Sequence, residues 1–192
     1  MQKQYITADQ LLKDSLDLAF RIIESGFRPD MIVGIWRGGT PVGIAVQEVM
    51  EFVGIKTDHI AIRTSSYTSI GQRTTVEVDG LEYLEQQLNA DKKLLLIDDV
   101  FDTGQSIESV IQELSGFYKG SSPEIRIATP YYKPGNNETG RVPDFYLFET
   151  DDWLVFPHEL IGLSVKEILN EKPLPEELKE KLLSLQRQMT KT

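Results

Sequence analysis

The stretch that decides the fold runs from Leu94 to Ser106 and reads Leu-Leu-Leu-Ile-Asp-Asp-Val-Phe-Asp-Thr-Gly-Gln-Ser. Its four leading apolar residues have charged residues on both sides, which is typical of a strand buried on both faces of a parallel sheet. A helical spacing of apolar side chains follows at Ile107, Val110, Ile111 and Leu114. Strand, glycine turn and helix in this order predict an anion-binding site, because helical N–H groups and the helix dipole converge there.

Three carboxylates give this stretch its chemical character. Asp98 and Asp99 follow the strand directly, and Asp102 comes three residues later. In a half-buried turn they would repel one another and lose hydration. Helix capping by Asp102 or Thr103 would account for one acid, and solvation in a loop is the other ordinary explanation. The set as a whole indicates a ligand with an anion at one end and hydroxyls or a metal at the other, such as a phosphorylated sugar.

Other phosphate-binding motifs do not fit. The chain has no Gly-Lys-Ser/Thr, which a P-loop requires, and no G-x-G-x-x-G after a strand. The spacing Asp-Asp-x-x-Asp also occurs in isoprenoid synthases, but there it lies on helices, whereas here it follows a strand.

The stretch from Leu94 to Ser106 resembles the phosphoribosyl pyrophosphate (PRPP) motif of the type I phosphoribosyltransferases. The resemblance implies that Asp98 and Asp99 hold the ribose 2′- and 3′-hydroxyls and that Asp102 is the general base that takes the purine N7 proton. It implies Mg²⁺ as cofactor, with Asp98, Asp99 and Glu159 as candidate ligands. It also implies that the 5′-phosphate lies in the turn formed by Asp102, Thr103, Gly104, Gln105 and Ser106.

A second strand–glycine loop–helix pattern lies earlier in the chain. The buried strand Met31–Trp36 leads into Arg37, Gly38 and Gly39, and Pro41 suits the first turn of a helix. Alone, this segment also reads as a tight turn with a solvated arginine. The family resemblance implies instead a pyrophosphate-binding loop, preceded by a cis peptide bond between Trp36 and Arg37.

A polar loop is predicted from residue 64 to residue 74, between a strand at His59–Arg63 and another at Thr75–Val78. An ordinary long hairpin connection is one interpretation. The loop also resembles the mobile loop that closes over the reacting centre in bacterial xanthine-guanine phosphoribosyltransferases. That resemblance implies roles for Ser65, Ser66, Tyr67 and Arg73, with Arg73 meeting pyrophosphate.

The C-terminal quarter resembles the base-binding part of 6-oxopurine phosphoribosyltransferases. The resemblance implies that Lys133 binds the purine O6, that Trp153 stacks on the ring, and that the backbone of Leu154 meets the 2-position edge. Separately, Lys133 could be a solvated lysine at a strand end and Trp153 a core aromatic. His158 stands where relatives often carry tryptophan, which leaves the choice of base open.

The predicted fold class is α/β, a Rossmann-like and mostly parallel sheet flanked by helices, with a small C-terminal hood. We expect one phosphoribosyltransferase domain over residues 1–192, with a core at about 1–135, the hood at about 136–165 and a C-terminal helix at about 173–190. The first helix is predicted to begin after Thr7 and to end at Ser25, with Leu12, Leu16, Ala19 and Ile23 as its apolar stripe.

Composition limits the partners. The 192 residues carry a net charge of −10, which argues against nucleic acid, and contain no cysteine, which excludes disulfides and thiolate metal sites. No apolar run reaches the length of a membrane span, so we expect no membrane partner and a cytoplasmic location. The expected partners are PRPP, a purine base and further copies of the chain in a dimer or tetramer.

The predicted function is phosphoribosyl transfer from PRPP to hypoxanthine, guanine or xanthine, which gives the nucleotide and pyrophosphate. Two alternatives stay open. One is a PRPP-binding regulatory protein of the same fold, which would need a basic nucleic-acid-binding face. The other is a phosphoribosyltransferase for a different nucleobase.

Overall fold

The computed structural model describes residues 3–67, 75–118 and 122–189. The chain divides into two compact units, one formed by residues 12–151 and the other by residues 1–11 together with 152–192. These limits differ from the hood boundaries expected at residues 136 and 165, and the division into core and hood stays a prediction.

The described strands are β1 (Lys3–Tyr5), β2 (Met31–Trp36), β3 (Asp58–Tyr67), β4 (Thr75–Asp79), β5 (Lys93–Ile97), β6 (Val100–Phe101), β7 (Glu124–Tyr132), β8 (Phe145–Glu149) and β9 (Trp153–Val155). The helices are α1 (Ala8–Glu24), α2 (Gly39–Phe52), α3 (Glu82–Gln87), α4 (Gln105–Phe117), α5 (Val165–Asn170) and α6 (Glu176–Met189), with a 3₁₀ turn at Pro134–Asn136.

The larger unit is built on a sheet of β2 to β8 in which all neighbours run parallel except β3 and β4. Strands β5 and β6 pair with the same edge of β7, since Lys93 lies opposite Glu124 and Val100 opposite Tyr131. The chain therefore leaves the ladder at Asp98 and Asp99 and returns to it before Asp102. This parallel α/β architecture confirms the predicted fold class.

Helix α4 and the central strands form the core as predicted, with Ile107, Val110 and Leu114 buried against β5 and β7 residues. Helix α1 begins after Thr7, whose hydroxyl accepts from the Gln10 backbone N–H at 3.1 Å. Its predicted stripe is only partly correct: Ala19 is buried and Leu16 and Ile23 are partly buried, but Leu12 is exposed, and the other buried apolar side chains are Leu11, Leu18 and Ile22.

Strand β3 is longer than predicted. Residues 64–67 were assigned to the polar loop, but their backbone continues β3 and pairs with β4, where Tyr67 lies opposite Thr75. The antiparallel partner satisfies the backbone groups of this polar stretch, so apolar burial is not needed to extend the strand.

In the smaller unit, β1 pairs with β9 in parallel, so that Lys3, Gln4 and Tyr5 lie opposite Trp153, Leu154 and Val155. The predicted C-terminal helix is present as α6. Leu178, Leu185 and Met189, which recur at helical spacing, are exposed, and Lys179 and Leu183 are the buried residues. Among the described residues, no helix is long and apolar enough to cross a membrane.

Candidate active site

Two glycine loops leave the sheet side by side. Strands β2 and β5 are neighbours, with Gly34 opposite Ile97, so the loop at Arg37–Gly39 and the acids after β5 share one edge. Helices α2 and α4 begin directly after Gly38 and Gly104, which have no side chain to cap the first helical N–H groups. The peptide bond between Trp36 and Arg37 is cis, which confirms the prediction.

The first loop lies directly against the acids. A methyl group built on Gly38 would come within 2.0 Å of Asp99 Oδ2, and one on Gly39 within 2.2 Å of the Ile97 carbonyl oxygen. Both distances are far below van der Waals contact, so a side chain at either position would collide with the neighbouring strand end. The two motifs that the sequence shows 60 residues apart, Gly38 and Asp98, thus form one surface.

The pKa of Asp98 is perturbed by its surroundings on this surface. Burial and the neighbouring Asp99 carboxylate raise the pKa of the Asp98 carboxyl well above its ordinary value, and the Gly39 backbone N–H acts in the opposite direction. The Asp99 backbone N–H donates to Asp98 Oδ1 at 2.9 Å, and Asp99 is buried. Two adjacent carboxylates repel each other when both are ionised, so hydroxyl donors or a cation would stabilise their charged forms.

The turn after β6 depends on Gly104. Its φ of 80° lies in the left-handed region, and a methyl group there would come within 2.6 Å of the Phe101 ring. Capping of α4 by Asp102 or Thr103 is wrong, since Gly104 is the N-cap, although Thr103 Oγ1 accepts from the Gln105 backbone N–H at 3.3 Å. The Thr103 hydroxyl thus binds the first N–H group of α4, and the N–H groups after it in a first helical turn point toward the turn before the helix.

Asp102 is held from two sides. Its Oδ2 accepts a hydrogen bond from Lys133 Nζ at 3.0 Å, and its Oδ1 accepts one from Asn136 Nδ2 at 2.8 Å. Lys133 follows β7, and its backbone N–H donates to the Phe101 carbonyl at 2.9 Å. The lysine is only 4% exposed, so the solvated-lysine interpretation is wrong.

The loop after Lys133 also borders the phosphate turn, which the sequence did not indicate. The Glu138 backbone N–H donates to the Thr103 carbonyl at 3.0 Å, and the Glu138 carboxylate accepts from Gln105 Nε2. Arg141 pairs with Glu108 on α4 at 2.9 Å. Asn136 and Glu138 carry no periodic signal, and their partners lie more than 30 residues away in the chain.

The other proposed base-binding residues lie in the smaller unit. The Trp153 side chain is 55% exposed, so it is not a core aromatic, whereas Leu154 is buried in β9. The Glu159 carboxylate accepts from the Phe156 backbone N–H at 2.9 Å and closes a turn after β9. Arg73 lies outside the described residues, and only the backbone of Ser65, Ser66 and Tyr67 is described, in β3.

Within residues 3–67, 75–118 and 122–189, no group of three or more histidine, aspartate or glutamate side chains could hold a metal ion. Asp98 and Asp99 nevertheless suit Mg²⁺ chemically, because paired carboxylate oxygens are the ligands that it prefers and a cation would offset their repulsion. Two carboxylates leave most coordination positions to a substrate and water.

Known proteins of similar sequence and structure show which family the chain belongs to. The chain is 28% identical to a xanthine-guanine phosphoribosyltransferase of Desulfotalea psychrophila, with 79% of this chain and 83% of the relative covered. It is 29% identical to a protein of the same name from Nitratidesulfovibrio vulgaris, over 79% of this chain and 82% of that one. The crystal structure of a purine phosphoribosyltransferase from Pyrococcus horikoshii superimposes with a TM-score of 0.66 at 30% identity, covering 85% of this chain and 98% of that one. Residues 1–161 match the phosphoribosyl transferase domain family, and the chain therefore belongs to that family.

Proposed function

We propose that this protein transfers the phosphoribosyl group from PRPP to a 6-oxopurine base, with release of pyrophosphate, as an enzyme of purine salvage. The observation that carries the choice of base is the ion pair of the buried Lys133 and the half-exposed Asp102, with 3.0 Å between Nζ and Oδ2. A lysine ammonium has donors only, so it suits a 6-oxo group and cannot accept from a 6-amino group.

Each group of site residues binds a different part of PRPP. Asp98 and Asp99 bind the ribose hydroxyls, the turn from Thr103 to Ser106 binds the 5′-phosphate, and the loop from Arg37 to Gly39 binds pyrophosphate. The first-turn N–H groups of α2 and α4 suit both anions, because each helix begins at a glycine. When bound, Mg²⁺ would neutralise charge on the departing pyrophosphate, with Asp98 and Asp99 among its ligands.

In the reaction, purine N9 forms a bond to ribose C1′ while the bond from C1′ to the pyrophosphate oxygen breaks. Asp102 accepts the proton that the purine loses at N7. Lys133 and Asn136 hold this carboxylate in place, so its orientation does not depend on the base. The exposed Trp153 ring stacks on the purine, and the Leu154 backbone meets its 2-position edge. The loop that would close over the site includes Ser65, Ser66, Tyr67 and Arg73.

A panel of bases tests the proposal. The protein is incubated with PRPP, Mg²⁺ and one of hypoxanthine, guanine, xanthine, adenine, uracil or orotate, and nucleotide formation is followed by ultraviolet absorbance. We expect turnover with at least one 6-oxopurine. Turnover of adenine or a pyrimidine alone, or of no base at all, would contradict the proposal. A cytoplasmic location and a dimer or tetramer belong to the same proposal, and sedimentation analysis checks the assembly.

A further inference from the structure

The residues beyond the family match contain a buried lysine that contacts the base-binding segment. Lys172 follows α5 and is 3% exposed, although a lysine is rarely buried without a partner. Its Nζ donates to the Phe156 carbonyl at 2.5 Å and reaches the Pro157 carbonyl at 3.5 Å. Phe156 follows β9, the strand that carries Trp153 and Leu154.

The turn that Lys172 contacts, from Phe156 to Glu159, is stabilised by two internal hydrogen bonds. The Glu159 backbone N–H donates to the Phe156 carbonyl at 3.0 Å, and the Glu159 carboxylate accepts from the Phe156 backbone N–H at 2.9 Å. The His158 ring stacks on the Phe156 ring at a centroid distance of 5.9 Å. Burial lowers the pKa of the Lys172 amine, and the Glu159 carboxylate acts in the opposite direction. The lysine thus gives a carbonyl at the end of β9 a second, charged donor.

Helix α5 also contacts β1, the other strand of the two-stranded sheet, through Glu167. One carboxylate oxygen accepts from Lys3 Nζ and, at 3.0 Å, from the Tyr5 hydroxyl, and both donors lie on β1, the partner of β9. The other oxygen accepts from the Ser164 backbone N–H at 2.8 Å, within a capping box that starts α5. These bonds lower the pKa of Glu167 to about 2, with the Lys3 bond as the largest cause.

Glu167 and Lys172 are joined through the backbone of α5. The Glu171 backbone N–H donates to the Glu167 carbonyl at 2.9 Å, and that of Lys172 to the same carbonyl at 3.3 Å. Fixing the position of α5 therefore fixes both side chains. The Glu167 carboxylate bonds β1, the partner of β9, and the Lys172 ammonium bonds the turn after β9. Neither residue lies within residues 1–161 that match the family.

We propose that Lys172 and Glu167 are positioning residues for base recognition, which they serve by fixing the strand that carries Trp153 and Leu154. This inference rests on the proposed function. An error of about 1 Å in a binding group is enough to weaken binding many-fold. The PRPP residues lie on other elements, so a loosened β9 would affect the base selectively.

The test compares Lys172→Met with Lys166→Met, since Lys166 is an exposed lysine on α5, the helix that Lys172 follows. With the full chain, PRPP and the best 6-oxopurine, we expect Lys172→Met to raise KM for the base about tenfold, with KM for PRPP changed less than about twofold. Lys166→Met should match the unaltered protein in both constants. A merely structural role for Lys172 would lower the amount of folded enzyme without separating the two KM values.

A milder variant covers the case in which Lys172→Met does not fold. Tyr5→Phe removes one of the hydroxyls that donate to Glu167 and leaves the ring in place, and we expect it to raise KM for the base about two- to threefold. Unchanged KM for the base in Tyr5→Phe and in any folded Lys172→Met, in a protein that turns over the base, would overturn this inference alone. No turnover of any purine by the unaltered protein would overturn the proposed function and this inference with it.

Discussion

Lys133 and Asp102 form an ion pair in which Nζ and Oδ2 lie 3.0 Å apart, with 5% of the lysine side chain and 41% of the aspartate side chain exposed. Lys133 is proposed to bind the purine base, and Asp102 is proposed to take a proton from that base. The ion pair therefore links the two proposed roles. Because the lysine is buried and the acid faces solvent, the acid can meet a ligand without moving. Its exposed surface is where a purine ring edge would arrive.

The first prediction concerns Asp102. Asp102→Asn keeps an acceptor for Lys133 but cannot take a proton, so we expect kcat to fall about 10²–10⁴-fold while KM for PRPP changes little. Steady-state kinetics with hypoxanthine or guanine measure this. Asp17→Asn, an exposed acid on α1, is the control. If Asp102→Asn turned over like the unaltered protein, Asp102 would not be the general base.

The glycines of the pyrophosphate loop give a second prediction, on stability. In Gly39→Ala the new methyl group would lie 2.2 Å from the Ile97 carbonyl oxygen and 2.9 Å from Asp98 Cα, and backbone atoms cannot turn away. We expect a loss of about 2–3 kcal/mol or more in the free energy of unfolding. Gly116→Ala on α4 meets nothing within 4 Å and should be neutral or slightly stabilising. Urea unfolding compares the two, and equal stability would contradict the close approach.

A third prediction follows from the raised pKa of Asp98. The folded state holds this proton more tightly than the unfolded state, whose carboxyl has the ordinary pKa of 3.8. Ionisation of Asp98 therefore destabilises the ligand-free protein as the pH rises above that value. Asp98→Asn cannot ionise, so its stability relative to the unaltered protein should increase between about pH 4 and pH 7, while PRPP binding is lost.

Urea unfolding at several pH values, with Asp91→Asn as an exposed control, measures the Asp98 effect. A difference that stays constant across this pH range would show that Asp98 titrates alike in the folded and unfolded states. A variant that still bound PRPP with normal affinity would remove Asp98 from the proposed ribose site.

The sequence predicted strands β2 and β5, because buried parallel strands leave uninterrupted apolar runs, and it predicted the glycine loop that follows each of them. It predicted only part of the buried face of α1, because Leu11 and Leu12 are both apolar and the buried side includes a polar residue. Asp14 lies on that side and accepts from the Tyr131 hydroxyl at 2.5 Å, a contact 117 residues apart. Apolar periodicity cannot indicate a polar residue that is buried by such a partner.

Asn136 and Lys172 illustrate the same limit at the site. Each is a single polar residue outside any amphipathic pattern, and each acts through a bond to a segment that only the fold brings near. The cis peptide at Trp36, in contrast, was predictable, because the residues after it match a family motif. Contacts made within a motif were thus visible in the sequence, whereas contacts between motifs were not.

The last prediction is that Trp153 supplies affinity for purine bases in general, whereas Lys133 supplies the discrimination between 6-oxo and 6-amino purines. Stacking on the exposed Trp153 ring supplies contact area without distinguishing purines, so Trp153→Ala should weaken all bases similarly. Adenine would place a donor against the Lys133 ammonium in a desolvated pocket, at about 1–3 kcal/mol or more, and should be a very poor substrate. Lys133→Gln can accept as well as donate, so it should narrow the gap in kcat/KM between hypoxanthine and adenine. Adenine as the preferred base of the unaltered protein would contradict the role of Lys133 even if the PRPP site stood.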